Sequence, residues 1–215
     1  MVLERTIGKA GTVAVGEFTP DGKLVAYKSN EAFSAELAML SSQFAATVRM
    51  FLSTMAASFS HLSGLHLVPY HGFIFSGGDM SSVIRQDHWA IVRTAQSEFM
   101  PQPGATDRGL QELAGLPGVR LAAYYASEVG EIECKQALGL SPAVRATATE
   151  FVTSTTAALG GLATAFEHLS KTRWTPVKSW LYAGGDWVIA ASSCCWLLAE
   201  AGEAETHELH RAVMR

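Results

Sequence analysis

Charge is scarce in this 215-residue chain. Only 17% of its side chains are Asp, Glu, Lys or Arg, against 48% hydrophobic. That balance excludes a disordered polymer and points to a compact protein with much internal or subunit-interface surface. The net charge is −4 and no run of five or six like charges occurs, so the basic footprint of a nucleic-acid or anionic-membrane binder is missing. Cysteines number three, two of them adjacent at Cys194 and Cys195, which is no disulfide framework. Residues 50–78 and 151–166 lack formal charge, yet Ser, Thr, Gly, His and Pro interrupt the first stretch, and Ser, Thr and Gly the second. Neither supplies the roughly 20 mostly apolar residues of a bilayer span. The first residues lack a basic stretch, an apolar core and a small-residue cleavage site, so a cytoplasmic protein without a secretory signal is expected.

What the chain does have is a long helical stripe, and it has it twice. Phe33, Leu37, Leu40, Phe44, Val48, Phe51, Met55, Phe59 and Leu62 are spaced by threes and fours, the period of an α-helix. Adding 107 to each gives Leu140, Val144, Thr147, Phe151, Thr155, Ala158, Leu162, Phe166 and Leu169. Beyond the stripe, Leu52, Ala56, His61, Pro69, Gly77, Asp79 and Trp89 recur as Leu159, Ala163, His168, Pro176, Gly184, Asp186 and Trp196. Solenoid repeats run to roughly 20–50 residues, so this period marks a duplicated domain. The expected division is 1–97, a linker at 98–108 carrying Pro101 and Pro103, and 109–215.

Each half reads as a short helix, two strands, the long helix and three strands. A terminal helix over 203–214 is clear only in the second half. Thr19-Pro20-Asp21-Gly22 is a strong turn between the first two strands. Ser29 or Asn30 would cap the first long helix, with Gly64 ending it; Ser141-Pro142 would open the second. Tight turns make the strands antiparallel, and five of them under one long helix form an α+β domain. The stripe should cover the sheet. The opposite face shows Ala38, Ser42, Ala46 and Ser53, then Thr149, Thr156, Gly160 and Ala163. Small and uncharged, it suits close helix packing, so these residues are the expected inter-repeat interface.

The run from Gly16 to Lys28 (GEFTPDGKLVAYK), the His61-Leu62-Ser63-Gly64 helix end, Thr175-Pro176 and the two Gly-Gly-Asp turns carry a resemblance across most of the chain. It resembles a prokaryotic family of unknown function within the roadblock (dynein light chain) superfamily. The resemblance implies two roadblock-like repeats, each a five-stranded antiparallel sheet with one long helix on one face and short terminal helices on the other. It further implies a pseudo-dimer that pairs the long helices and joins the sheets into ten strands. Pro69 and Pro176 each remove a donor near the start of the third strand, so pairing between the sheets would begin only after them.

Catalytic signals are weak throughout. His61 and His168 fall in the last turn of each long helix, where an imidazolium caps carbonyls; a shared ligand site is the alternative. Gly77-Gly78-Asp79 lacks the Lys and Ser/Thr of a phosphate loop and reads as a tight turn. His207 and His210 stand three apart, whereas a zincin helix needs four. Cys194-Cys195 reads as a turn, with a redox or metal role as the alternative, and Cys134 as a small core residue. Trp174, Trp180 and Trp187 make the second half the more aromatic, as core or as a partner surface. His66, His71, Arg85, Asp87 and His88 make the first half more polar.

No catalytic residue, cofactor or metal ligand is assigned, and an enzyme, built from residues such as His71, His88, Asp79 and Cys194, ranks third. The leading expectation is a non-catalytic interaction or regulatory scaffold. Its partner would be an unidentified protein, with a small GTPase the class that the resemblance permits; nucleic acid and membrane are not expected, and further oligomerisation is open. The runner-up is a small-molecule sensor with a pocket between sheet and helices.

Overall fold

The computed structural model describes residues 2–96, 109–126, 130–136 and 140–214, with residues 2, 125–126 and 130–136 as backbone only. The expected linker and the turn at 127–129 lie outside these residues, as does the side chain of Cys134. The first repeat runs α1 (Val2–Ile7), β1 (Thr12–Phe18), β2 (Leu24–Ser29), α2 (Ala35–Ser63), β3 (Tyr70–Gly77), β4 (Met80–Arg85) and β5 (His88–Arg93). The second runs α3 (Leu110–Ala114), β6 (Val119–Ala126), β7 (Gly130–Gln136), α4 (Pro142–Ser170), β8 (Val177–Gly184), β9 (Trp187–Ser192), β10 (Cys195–Glu200) and α5 (Thr206–Val213). All strands join one antiparallel sheet of ten, in the order β2-β1-β5-β4-β3-β8-β9-β10-β6-β7.

Local chemistry explains most boundaries. The Gly22 amide donates to the Thr19 carbonyl at 2.8 Å, and Gly22 takes φ 83, closing the β1–β2 turn. The second long helix starts as its sequence requires, with the Val144 amide bonded to Ser141 Oγ and Pro142 in the first turn. The first starts later than expected. Its cap is Ser34, which accepts from the Leu37 amide, because the Asn30 side chain already donates to the Ile7 and Thr12 carbonyls.

The two repeats meet twice. In the sheet, β3 pairs with β8, and Ile74 faces its own counterpart, Leu181. The pseudo-two-fold axis therefore passes between them. Pro69 and Pro176 follow cis peptide bonds, and pairing runs from Tyr70↔Gly184 to Gly77↔Val177, beginning after each proline. The Gly-Gly turns lock this seam. The Gly78 amide donates to the Pro176 carbonyl and the Gly185 amide to the Pro69 carbonyl. A Cβ at Gly77 or Gly184 would lie 1.9 or 2.1 Å from a carbonyl oxygen of the other repeat. Only glycine permits that approach.

In the helix layer, Phe44 stacks on Phe166 with ring centroids 4.6 Å apart, and Phe59 lies 5.2 Å from Phe151. These are one contact repeated by the pseudo-symmetry, and they set α2 antiparallel to α4.

This corrects the expected assignment of helix faces. The small residues turn toward the sheet and its hairpin: Ser42 Oγ accepts from Trp89 Nε1 at 2.9 Å, and Thr156 Oγ1 from Trp180 Nε1 at 2.9 Å. Ala46 lies by the Gly22 turn, and Gly160 has open space where a Cβ would go. Ser53 lines a groove with Pro69 and Tyr70. Ala38 and Ala163 are wholly buried in the main core, and Thr149 is half-buried with its hydroxyl on the Arg145 carbonyl. Among the large stripe residues Phe44, Phe59, Phe151 and Phe166 reach the helix seam, while Phe33 packs on Trp89, Phe44 also on Phe75 and Phe151 also on Trp180, and the last, Leu62, is exposed. The reason is bulk. Phe73, Phe75, Trp89, Trp180 and Tyr182 fill the inner face of the sheet, so a helix lying on them must present small side chains.

Candidate functional site

The other face of the sheet is where the repeats differ. On the second half, α5 lays Leu209, Ala212 and Val213, followed by Met214, over Leu181, Val188, Ala190 and Leu197, with Leu110 and Leu113 of α3 completing a closed core. Residues 99–106 hold the matching place in the first repeat. They carry Pro101 and Pro103 where α5 carries Glu208 and His210, and they lie outside the described residues.

The matching floor of the first half, Ile74, Val83, Ala90 and Val92, lines a cleft of about 1060 Å³. Its counterparts across the repeat are Leu181, Ala190, Leu197 and Ala199. One wall is α1, through Leu3, Arg5 and Thr6; at another, Thr206 and His207 open the first turn of α5. The rim is polar. Glu4 is ion-paired with Lys28, whose hydrogen bond and charge hold the Glu4 carboxyl below its usual range. Arg5 and Arg85 have no ion-pair partner among the described residues. Their charge, beside an apolar floor, suits an amphipathic occupant with acidic groups.

Beside this cleft a buried polar row ties α5 to the β3–β8 seam. His210 Nε2 lies 3.0 Å from Ser179 Oγ and 3.5 Å from Ser76 Oγ. Ser76 continues to Ser81 at 2.6 Å and Ser81 to Thr94 at 2.9 Å. Burial pushes the His210 pKa down to about 3, so the imidazole is neutral at physiological pH. All five side chains are buried, and a row sealed from solvent holds structure together instead of meeting a substrate.

Of the residues nominated from sequence, the cleft brings together Arg85, His88 and His207. Trp174 and Trp180 are no partner surface; both are core, 1% and 0% exposed, and Trp187 is half-buried against the same cluster. Asp79, at the β3–β4 turn, and His88, at the start of β5, stand at opposite ends of the β4 strand. His71 is exposed and Cys194 half-buried in the β9–β10 turn. The sulfurs of Cys194 and Cys195 lie 3.6 and 3.3 Å from Ser192 Oγ. His61 and His168 are exposed, and the helix ends close instead through left-handed Gly64 and Lys171. Among the described residues no group of His, Cys, Asp or Glu is placed to hold a metal ion, and no helix is long and apolar enough to cross a membrane. Sequence reasoning missed the cleft. Its floor is drawn from three strands, and no local motif marks it.

The chain belongs to the family described as an uncharacterized conserved protein (DUF2173), whose model matches residues 3–100 and again 109–215. No curated protein and no solved structure matches it.

Proposed function

We propose that the chain is a non-catalytic interaction scaffold of the roadblock type, and that the first-half cleft seats a helix of a protein partner. One observation carries this reading. The second half covers the matching floor with its own amphipathic helix, α5, so the same strand surface is already shaped to take a helix. Arg5 and Arg85, without an ion-pair partner among the described residues, favour a partner helix with acidic residues beside its apolar face. A small GTPase is the partner class that the roadblock resemblance brings forward.

Photo-crosslinking tests it. A photoreactive residue at Val83 in the full chain, in native lysate supplied with GDP or a GTP analogue, should give a discrete protein adduct. Arg5→Glu with Arg85→Glu should suppress that adduct. If Val83 captures no protein in any nucleotide state, the reading is wrong.

The second reading, a small-molecule sensor, has the cleft volume in its favour, since ligand pockets run from about 300 to 1,000 Å³. It predicts a thermal shift with an apolar carboxylate that Arg85→Ala removes.

A further inference from the structure

The outward face of the helix layer is almost free of charge. Eleven residues of α2 and eleven of α4 are exposed, and they are the same positions offset by 107. Only Glu36 and Glu150 among them carry a formal charge. The remaining charged residues of these helices are occupied or turned aside: Arg49 donates to the Gln86 carbonyl, Glu167 accepts from the Trp174 and Thr175 amides, and Arg145 is half-buried. A solvated helix face is normally charged. This one exposes Met39 by 47%, Met50 by 68%, Leu62 by 70% and Leu169 by 63%.

Its size and relief both indicate what it fits. Each helix has 29 residues and is therefore about 43 Å long. Two such helices side by side, with axes about 9 Å apart, present roughly 850 Å², close to the 800 Å² that a stable interface buries on each partner. The relief is self-complementary. Near the middle of the face α2 carries Met50 and Thr54 where α4 carries Ala157 and Gly161. Knobs on one helix correspond to hollows on the other, so the face fits a copy of itself turned by two-fold rotation. The middle of the face holds no like charges to oppose each other.

We infer that two copies of this chain associate through their helix layers, α2 of each over α4 of the other. Met50 of one copy then sits over Ala157 and Gly161 of the second.

Sedimentation equilibrium of the full chain over a wide concentration range tests this, with thermal unfolding as the control for folding. The wild type should give twice the chain mass of 23.0 kDa. Met50→Glu and Ala157→Arg should each weaken self-association by roughly thirtyfold or more without lowering the unfolding midpoint. The double variant, in which each new Glu meets an Arg of the second copy, should recover the dimer. A wild type that stays monomeric overturns the inference, as does a dimer whose mass neither variant changes. A monomer that floats with uncharged lipid vesicles overturns it in favour of a lipid surface.

Discussion

The outer face of the sheet has matched strands in its two halves, and among the described residues only the second half shows a covering C-terminal helix. In the second half Leu181, Ala190, Leu197 and Ala199 lie sealed beneath α5 and α3, whereas the buried Ile74, Ala90 and Val92 and the half-buried Val83, part of or beside the same core, also line a cleft. The inner faces of both sets of strands pack one common core, and the sheet runs unbroken through the β3–β8 seam.

The sharpest test of that contrast places a carboxylate on each face. Leu209→Asp puts an unpaired charge under the sealed cover and should cost about 4 kcal/mol or more. Val83→Asp, on the cleft floor, should cost roughly 1 kcal/mol. Chemical denaturation of both variants decides the matter, and equal losses would show that the first-half face is core as well.

The second test uses His210, whose matched position in the first repeat is Pro103. Burial holds its pKa at about 3 against an ordinary 6.5. Between those values the unfolded chain binds a proton that the folded chain does not. Stability is therefore unaffected above 6.5 and falls as the pH drops toward 3, by about 1.4 kcal/mol per unit. His210→Gln should flatten the stability profile between pH 6.5 and 4.5. Below that window Glu167 adds a loss of its own. Its carboxyl is held under the usual 4.5 by the Thr175 hydroxyl and the Trp174 and Thr175 amides, so its contribution is present above 4.5 and lost as the pH falls. An unchanged slope in the Gln variant would remove His210 from the account.

The smallest effect compares the repeats on the inner face. A Cβ at Gly16 would lie 2.3 Å from the Trp89 ring, whereas the matched pair is Ala123 beside Trp196. Gly16→Ala should cost about 1–3 kcal/mol in urea unfolding, and Ala123→Gly about 1 kcal/mol or less. A neutral Gly16→Ala would mean that the indole relaxes freely.

Much of the fold was legible in the chain. The duplication followed from matched residues such as Pro69 with Pro176, and the two long helices from a sustained 3.6 period. The Thr19–Gly22 turn and the Ser141 cap followed from local side-chain chemistry. Ser34 was overlooked because Asn30 looks equally fit to cap; its amide is claimed by Ile7 and Thr12, far off in sequence. The cleft was harder to read because its floor belongs to three strands that only the sheet brings side by side.

The sequence by itself determined that there are two copies of one domain, the order of their elements, and that charge is nearly absent from the long helices. Periodicity and capping are local, so they survive without knowledge of neighbours. Only the tertiary structure decided which helix face meets which surface. The bulk of Trp89, Phe73 and Phe75 on the strands drew Ala38 and Ser42 inward, sent Phe44 to the helix seam, and left Met39 and Met50 facing outward. Close packing is a property of both surfaces at once, and a stripe on one of them cannot specify it.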